Sequence, residues 1–97
     1  MRRFNKLFSF EWNKGNFNKN WIKHKVTNKE CEEVFFDRKR KYYKDKLHSD
    51  KEQRYILLGL TKKHRLLFIS FTKRGSKVRV VSARPMDKKE QRFYYGK

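Results

Sequence analysis

The sequence predicts an α+β fold: an antiparallel β-sheet, a meander of three to five strands, with two helices before it and one after it. Capping-box patterns, in which a short polar residue is followed three positions later by Glu, stand at residues 27–30 and 87–90 and predict helix starts. Between them, three β-rich segments are joined by short polar turns, which makes consecutive strands antiparallel. Helices first, strands next and a helix last are typical of an α+β domain, and residues 1–97 are predicted to form a single one.

The first elements are a short strand and a short helix. Residues 7–12 alternate in the manner of a strand that places Phe8, Phe10 and Trp12 on one side. Asn13 is a suitable N-cap for a helix whose apolar spacing runs to its end near Lys25.

The second helix is predicted from Thr27, with Glu30 as the capping partner. It places Cys31, Val34 and Phe35 on one face, and we expect that face to be buried.

The remaining segments alternate strands with turns. The charged stretch 38–46 is predicted to be an edge strand whose lysines prevent pairing with other chains. A polar connection follows, and then come three strands and a C-terminal helix that starts after Pro85 and runs through Tyr95. The three strands are predicted at residues 54–60, 65–72 and 77–83.

The charge is the strongest compositional signal. Lys and Arg number 28 against ten Asp and Glu, which gives a net charge of +18. Such a chain attracts polyanions, and its affinity for them should fall steeply with salt. Nucleic acid, an acidic membrane surface and an acidic protein are all possible partners. The abundance of Lys, Asn, Phe, Tyr and Ile is also typical of A/T-rich genomes, so charge alone does not establish function.

Several classes of protein are disfavoured. One cysteine, Cys31, permits no internal disulfide and is expected to be packed and inert. The three histidines lack zinc-ligand spacing, and the four isolated glycines form no phosphate-binding loop. No secretory signal or membrane span is recognisable, so a cytoplasmic protein without metal or other cofactor is expected.

Four charged residues of the predicted sheet could carry chemistry. Glu52 and Arg54 stand at the head of one strand, Arg79 lies in another, and Arg84 closes it. Spacing alone fits a solvated sheet face with ion pairs equally well. The alternative is RNA cleavage, because RNA carries its own nucleophile, the 2′-OH, and guanidinium groups can stabilise the charge of the phosphorane. A Glu or His would then move protons. Tyr42, Tyr43, Tyr94 or Tyr95 could stack exposed bases, although each suits the core or its rim equally well.

These residues lie within motifs that resemble the BrnT family of bacterial ribonuclease toxins. F-E-W-N at residues 10–13 is similar to the family's F-x-W-D, and N-x-x-K-H recurs at residues 20–24. Residues 30–37 resemble E-A-x-x-V-F-x-D, and residues 52–59 resemble E-x-R-x-x-x-x-G. R-V-V-S-A-R at residues 79–84 is close to R-I-I-S-A-R, and residues 90–94 are similar to E-R-x-x-Y. The matches run in order over nearly the whole chain.

The resemblance implies a RelE-like fold and a metal-independent endoribonuclease that blocks translation by cutting RNA. It also implies a BrnA-type antitoxin that neutralises the toxin, in a complex of two toxins and two antitoxins that contacts operator DNA only through the antitoxin. The implied catalytic residues are Glu52, Arg54, Arg79, Arg84 and His24. The arginines would hold the scissile phosphate, while Glu52 or His24 would act as base or acid. The residues expected to contact RNA are Lys23, Arg65, Lys77 and Tyr94.

Three positions depart from the family pattern: Asn13 for Asp, Lys25 for Gly, and Asn28 for an aromatic residue. None of the three belongs to the set of Glu52, Arg54, Arg79 and Arg84. They therefore put the loop geometry near the first helix in doubt more than the activity. Two other functions stay open. One is a non-catalytic RNA- or DNA-binding module or degenerate toxin, which would not need Glu52. The other is a regulatory subunit whose basic face binds an acidic protein.

Overall fold

The computed structural model describes residues 9–49 and 51–96, which form a five-stranded sheet and three α-helices. A short 3-10 turn, Lys46–His48, joins the second and third strands. The elements in chain order are β1 (Ser9–Phe10), α1 (Lys19–His24), α2 (Asn28–Val34), β2 (Lys41–Lys44), β3 (Arg54–Leu60), β4 (Leu66–Arg74), β5 (Lys77–Pro85) and α3 (Lys88–Tyr95). The predicted α+β class and the predicted order of these elements are confirmed.

The sheet is mixed, so the prediction of a purely antiparallel sheet was wrong. Its strand order is β1-β5-β4-β3-β2, and β2 to β5 form an antiparallel meander as predicted. β1, however, pairs in parallel with β5. All the residues from Glu11 to Ser76 separate these two strands, so no tight turn constrains their relative direction. Leu7 and Phe8 of the predicted first strand lie outside the described residues.

The first helix begins later than its sequence pattern predicts. Asn13 is not the N-cap; its carbonyl instead accepts hydrogen bonds from the amides of Asn16 and Phe17 in a turn, and the helix starts at Lys19. The turn places the Asn16 amide group at the sheet edge, where it donates to the carbonyl of Val80 at 3.1 Å. This side chain supplies the hydrogen bond that a longer β1 would have supplied to β5.

The C-terminus of α1 and the N-terminus of α2 are both stabilised by capping. Lys25 adopts the left-handed conformation (φ 56°) that ends α1, although Gly is the residue best suited to it. Thr27 and Glu30 form the predicted capping box of α2. Cys31, Val34 and Phe35 are buried, as their spacing predicts.

The two faces of the sheet are covered by different helices. α2 packs on the face that carries Leu57, Ile69 and Val80, which we call the α2 face. The opposite face, which we call the α3 face, carries Ile56 and Leu58 beneath α3. Because side chains alternate along a strand, the residues of β3 to β5 that are not on the α2 face lie on the α3 face.

The α3 helix covers only part of its face. Asp87 and Glu90 form its capping box, as the sequence predicts, and Tyr94 packs with Ile56 and Leu58. The other apolar residues packed there lie toward the β3–β4 turn, namely Leu60, Leu66 and Phe68. Arg54, Thr72, Arg74 and Arg79 of the same face lie toward the β4–β5 turn, and this end of the sheet contains the candidate site.

None of the helices in the described residues has the length and apolar character needed to cross a membrane.

Candidate functional site

Two of the predicted arginines lie in one row across the α3 face, on either side of Thr72. Arg54 of β3 is in register with Thr72 of β4, and Thr72 is in register with Arg79 of β5. The three side chains therefore form one row across the sheet at the end near the β4–β5 turn. The Thr72 hydroxyl in the middle of the row is buried and has no hydrogen-bond partner among the described residues.

Glu52 lies beside this row and is bound by an arginine that the sequence analysis did not select. Its carboxylate accepts from Arg74 Nε at 2.8 Å and from Arg74 Nη2 at 3.4 Å. Arg74 also donates to Glu11 at 3.4 Å, and Glu11 accepts from Arg79 at the same distance. Hydrogen bonds between side chains of alternating charge, in the order Glu52, Arg74, Glu11 and Arg79, therefore connect Glu52 with Arg79.

The charges keep Glu52 ionised. The hydrogen bond from Arg74 lowers the pKa of Glu52 below its usual value, and the positive charges of Arg74, Arg79 and Arg54 lower it further. The guanidinium of Arg54 makes no hydrogen bond within the described part of the chain. It is the group of this cluster that is most available to a new anion.

Arg79 is more buried than its neighbour Arg74. Its side chain is only 19% exposed, against 48% for Arg74. Arg79 Nη1 donates to the side-chain oxygen Oδ1 of Asn16 at 3.4 Å, and a Cβ on Gly15 would lie 2.8 Å from Arg79 Nη2. The turn before α1 therefore lies against this guanidinium, and the lack of a side chain at Gly15 leaves room for it.

Arg84 shares the face but not the cluster. In the register it is opposite Phe68, four residues along β4 from Thr72, which is about 13 Å at the usual strand rise. Its guanidinium lies 3.9 Å from the Phe68 ring centroid and binds both carboxylate oxygens of Glu90 at 2.8 Å. In this structure Arg84 fastens the start of α3 to the sheet.

The residues predicted near the end of α1 lie at the opposite end of the sheet. Arg65 donates to the Lys25 carbonyl at 2.8 Å and to the Glu30 carboxylate at 3.1 Å, and the His24 carbonyl accepts from it at 3.4 Å. β4 runs nine residues from this end to Arg74, about 27 Å. The structure does not bring His24, Lys23 and Arg65 to the cluster around Glu52.

The two remaining candidates differ in their accessibility. Lys77 is exposed and pairs with Arg74 beside the β4–β5 turn, so it adds positive charge next to the cluster. Tyr94 is only 4% exposed, and its hydroxyl donates to Asp37 at 2.5 Å. Its ring has no free face for a nucleic-acid base; its role here is to hold α3.

Sequence reasoning missed Arg74 and Glu11, although both carried a signal. Arg74 follows Thr72 by two positions and therefore shares its face, and Glu11 lies within the F-E-W-N motif. Arg74 lies 22 residues from Glu52 and 63 residues from Glu11 in the chain, so only the register shows that these three side chains meet. We call Glu11, Glu52, Arg54, Arg74 and Arg79 the arginine cluster.

Two open cavities adjoin these elements. One of about 340 Å³ is lined by Glu52, Arg54 and the 3-10 turn before β3. The larger, about 810 Å³, lies beside α2, and its lining mixes three carboxylates with the basic side chains of Lys29, Arg38, Lys39 and Lys62. Within residues 9–49 and 51–96, no three His, Cys, Asp or Glu side chains are grouped closely enough to hold a metal ion.

Comparison with known proteins identifies the family. The model of the family described as "Ribonuclease toxin, BrnT, of type II toxin-antitoxin system" matches residues 12–90, which include all of the arginine cluster except Glu11. A comparison with curated proteins finds no match. Because the family model covers most of the chain, this protein belongs to the BrnT family of ribonuclease toxins of type II toxin–antitoxin systems.

Proposed function

We propose that this toxin is a metal-independent endoribonuclease whose active site is the arginine cluster. The observation that carries the proposal is the meeting of one ionised carboxylate, Glu52, with three guanidinium groups at an uncovered end of the sheet. An RNA-binding surface needs positive charge but has no need of a carboxylate within it. A site that cleaves RNA through its 2′-OH also needs a group that takes up the hydroxyl proton, and an ionised carboxylate can do so.

The guanidinium groups bind the scissile phosphate. Guanidinium matches phosphate geometry with two parallel hydrogen bonds and stays charged at any physiological pH. Arg79 is mostly buried and lies against the turn of Gly15 and Asn16, so it requires little reorganisation when negative charge develops on the phosphorane. Arg54 and Lys77 supply further positive charge.

Glu52 moves the proton. In the free protein Arg74 engages this carboxylate and lowers its pKa, which makes it a weak base. A phosphate that draws Arg74 toward itself weakens that hydrogen bond, so Glu52 becomes a stronger base when substrate is bound.

The reaction is a transesterification. Glu52 takes the proton of the 2′-OH, and the 2′-oxygen forms a bond to phosphorus. The bond from phosphorus to the 5′-oxygen breaks, and the 5′-oxygen leaves with the electron pair and takes up a proton from water. The products are a 2′,3′-cyclic phosphate and a 5′-hydroxyl end.

The other candidate residues act indirectly. Arg84 positions α3 through Glu90, and Arg65 joins the end of α1 to the capping box of α2. Lys23 and His24 offer RNA contacts remote from the cleaved bond, where His24 cannot serve as the base without a large movement.

Cleavage of a single-stranded RNA in EDTA, followed by analysis of the product ends, tests this mechanism. We expect undiminished cleavage with cyclic phosphate ends, and a loss of about 100-fold or more in Glu52→Gln and Arg79→Ala. Glu33→Gln and Arg38→Ala are matched controls away from the cluster. Dependence on a metal, or 3′-hydroxyl and 5′-phosphate ends, would contradict the mechanism. RNA binding without cleavage would show instead a non-catalytic binding module or a degenerate toxin.

The family also supports a wider proposal. Type II systems pair a toxin with a protein antitoxin; we infer that the partner here is BrnA-type, that two toxins and two antitoxins assemble, and that the complex contacts operator DNA through the antitoxin. On this proposal residues 1–97 form one RelE-like domain that acts on cytoplasmic RNA and inhibits translation. Expression of the toxin with and without the neighbouring gene, and the mass of any co-purified complex, test these points. Growth arrest that no neighbouring gene relieves would contradict the antitoxin proposal.

A further inference from the structure

Two exposed aromatic rings lie next to the arginine cluster on the α3 face. Tyr43 of β2 is in register with Ile56, the next residue after Arg54 on this face of β3. Phe93 of α3 packs edge-on against Tyr43, with ring centroids 5.9 Å apart. Tyr43 is 42% exposed and Phe93 is 53% exposed, so the pair leaves ring surface open to solvent.

The charges around this pair suit a neutral flat group better than a phosphate. Lys41 Nζ lies 5.6 Å from the centre of the Phe93 ring, and Arg84 lies within electrostatic range of Tyr43. The pKa of the Tyr43 hydroxyl is raised, first by burial and then by the negative charges of Glu90, Asp45 and Asp87. They disfavour a second phosphate close by, whereas an uncharged base is not repelled.

The pair is also close to the proposed cleavage site. Tyr43 is one strand and two residues away from Arg54, which places their Cα atoms about 8 Å apart at ordinary sheet spacings. A nucleotide whose phosphate contacts Arg54 would therefore bring a neighbouring base over these rings.

We propose that Tyr43 and Phe93 form a stacking site for one unpaired RNA base next to the cleaved phosphate. The inference rests on the proposed function of the arginine cluster. Base stacking on aromatic rings tolerates any base identity, because every base has a π-face. Such a site therefore selects single-stranded over paired RNA rather than a particular sequence.

The test uses a single-stranded RNA with 2′-O-methyl groups, which binds but cannot be cleaved, with the fluorescent base 2-aminopurine at one position at a time. We expect quenching at one position in the wild-type complex. Phe93→Ala should abolish that quenching and weaken binding about fivefold to 150-fold, the range for loss of one stacked base. Phe93→Trp should retain both properties. Tyr42→Ala is the matched control, because Tyr42 is 57% exposed and lies on the opposite face of the sheet, in register with Leu57.

The outcomes separate this inference from the proposed function. Equal affinity in Phe93→Ala and Tyr42→Ala, while wild-type protein still cleaves unmodified RNA, would overturn the stacking site alone. Quenching and binding without any cleavage would support the stacking site and overturn the catalytic proposal. A Phe93→Ala protein that binds RNA normally but is no longer neutralised by its partner would assign these rings to a protein interface. Phe93→Leu keeps the apolar packing, so it answers the same question if the alanine variant unfolds.

Discussion

Removal of one hydroxyl group, in Tyr94→Phe, tests whether Tyr94 is a structural residue. Its hydroxyl donates to Asp37, and the same Asp37 oxygen accepts from the amide of Leu60 at 2.9 Å. The bond links α3 to the segment after α2 and to the end of β3. Tyr94→Phe removes this bond and leaves the ring in place, so no cavity forms.

The expected loss follows from the charge of the acceptor. A hydrogen bond to a charged group contributes about 1.5–3 kcal/mol to the free energy of unfolding. For a domain of this size, each kcal/mol corresponds to a shift of about 4–8 °C in Tm, so we expect a fall of roughly 6–24 °C. Binding of single-stranded RNA below the melting range should not change, because the buried ring contacts no base.

Thermal unfolding followed by circular dichroism measures the effect. Tyr95→Phe is the matched control, since the Tyr95 side chain is 55% exposed and its hydroxyl makes no hydrogen bond within residues 9–49 and 51–96. We expect its Tm to match that of the wild type. Equal Tm values for the Tyr94 and Tyr95 variants, or a loss of RNA affinity in folded Tyr94→Phe, would refute the structural role.

The same bond predicts a pH dependence. Burial, and after it the hydrogen bond to Asp37, raise the pKa of Tyr94 above its ordinary value of about 10. A raised pKa of an acid means that the folded state favours the protonated form. The stabilisation is therefore complete below about pH 10 and is lost as the pH rises further. The difference in Tm between wild type and Tyr94→Phe should be constant from neutral pH to that point and should shrink above it.

Three further predictions concern the cluster and the core. Glu52→Gln should slow cleavage about 100-fold to 10,000-fold yet leave RNA affinity equal or higher, because it removes a base and also a negative charge beside Arg74; a joint loss of binding and cleavage in the folded variant would contradict the role of the base. Gly15→Ala should lower the cleavage rate without unfolding the chain, since the new Cβ would lie 2.8 Å from Arg79 Nη2; an unchanged rate would show that Arg79 need not keep its observed position. Burial raises the pKa of Cys31 to about 12, so its thiol should react with a thiol reagent at pH 8 only after unfolding; fast labelling of the native protein would show that α2 is not packed as described.

The sequence alone determined the features that depend on neighbouring residues. Both capping boxes are hydrogen bonds between residues three positions apart, so Thr27 with Glu30, and Asp87 with Glu90, were readable directly. The bounds of β3 and the meander followed from alternation and from short turns. The family motifs likewise placed Glu52, Arg54 and Arg79 among the candidates before any distance was known.

Only the tertiary structure decided which distant groups meet. The parallel pairing of β1 with β5 and the meeting of Arg74 with Glu52 depend on strand register, which local propensity does not encode. Tyr94 is buried and its neighbour Phe93 is exposed, and this difference depends on how α3 is rotated against the sheet. Asn16 could not be assigned to the edge of β5 either, because its partner Val80 lies 64 residues away. Local hydrogen bonds set the elements of this toxin, whereas packing between remote segments set the composition of its site.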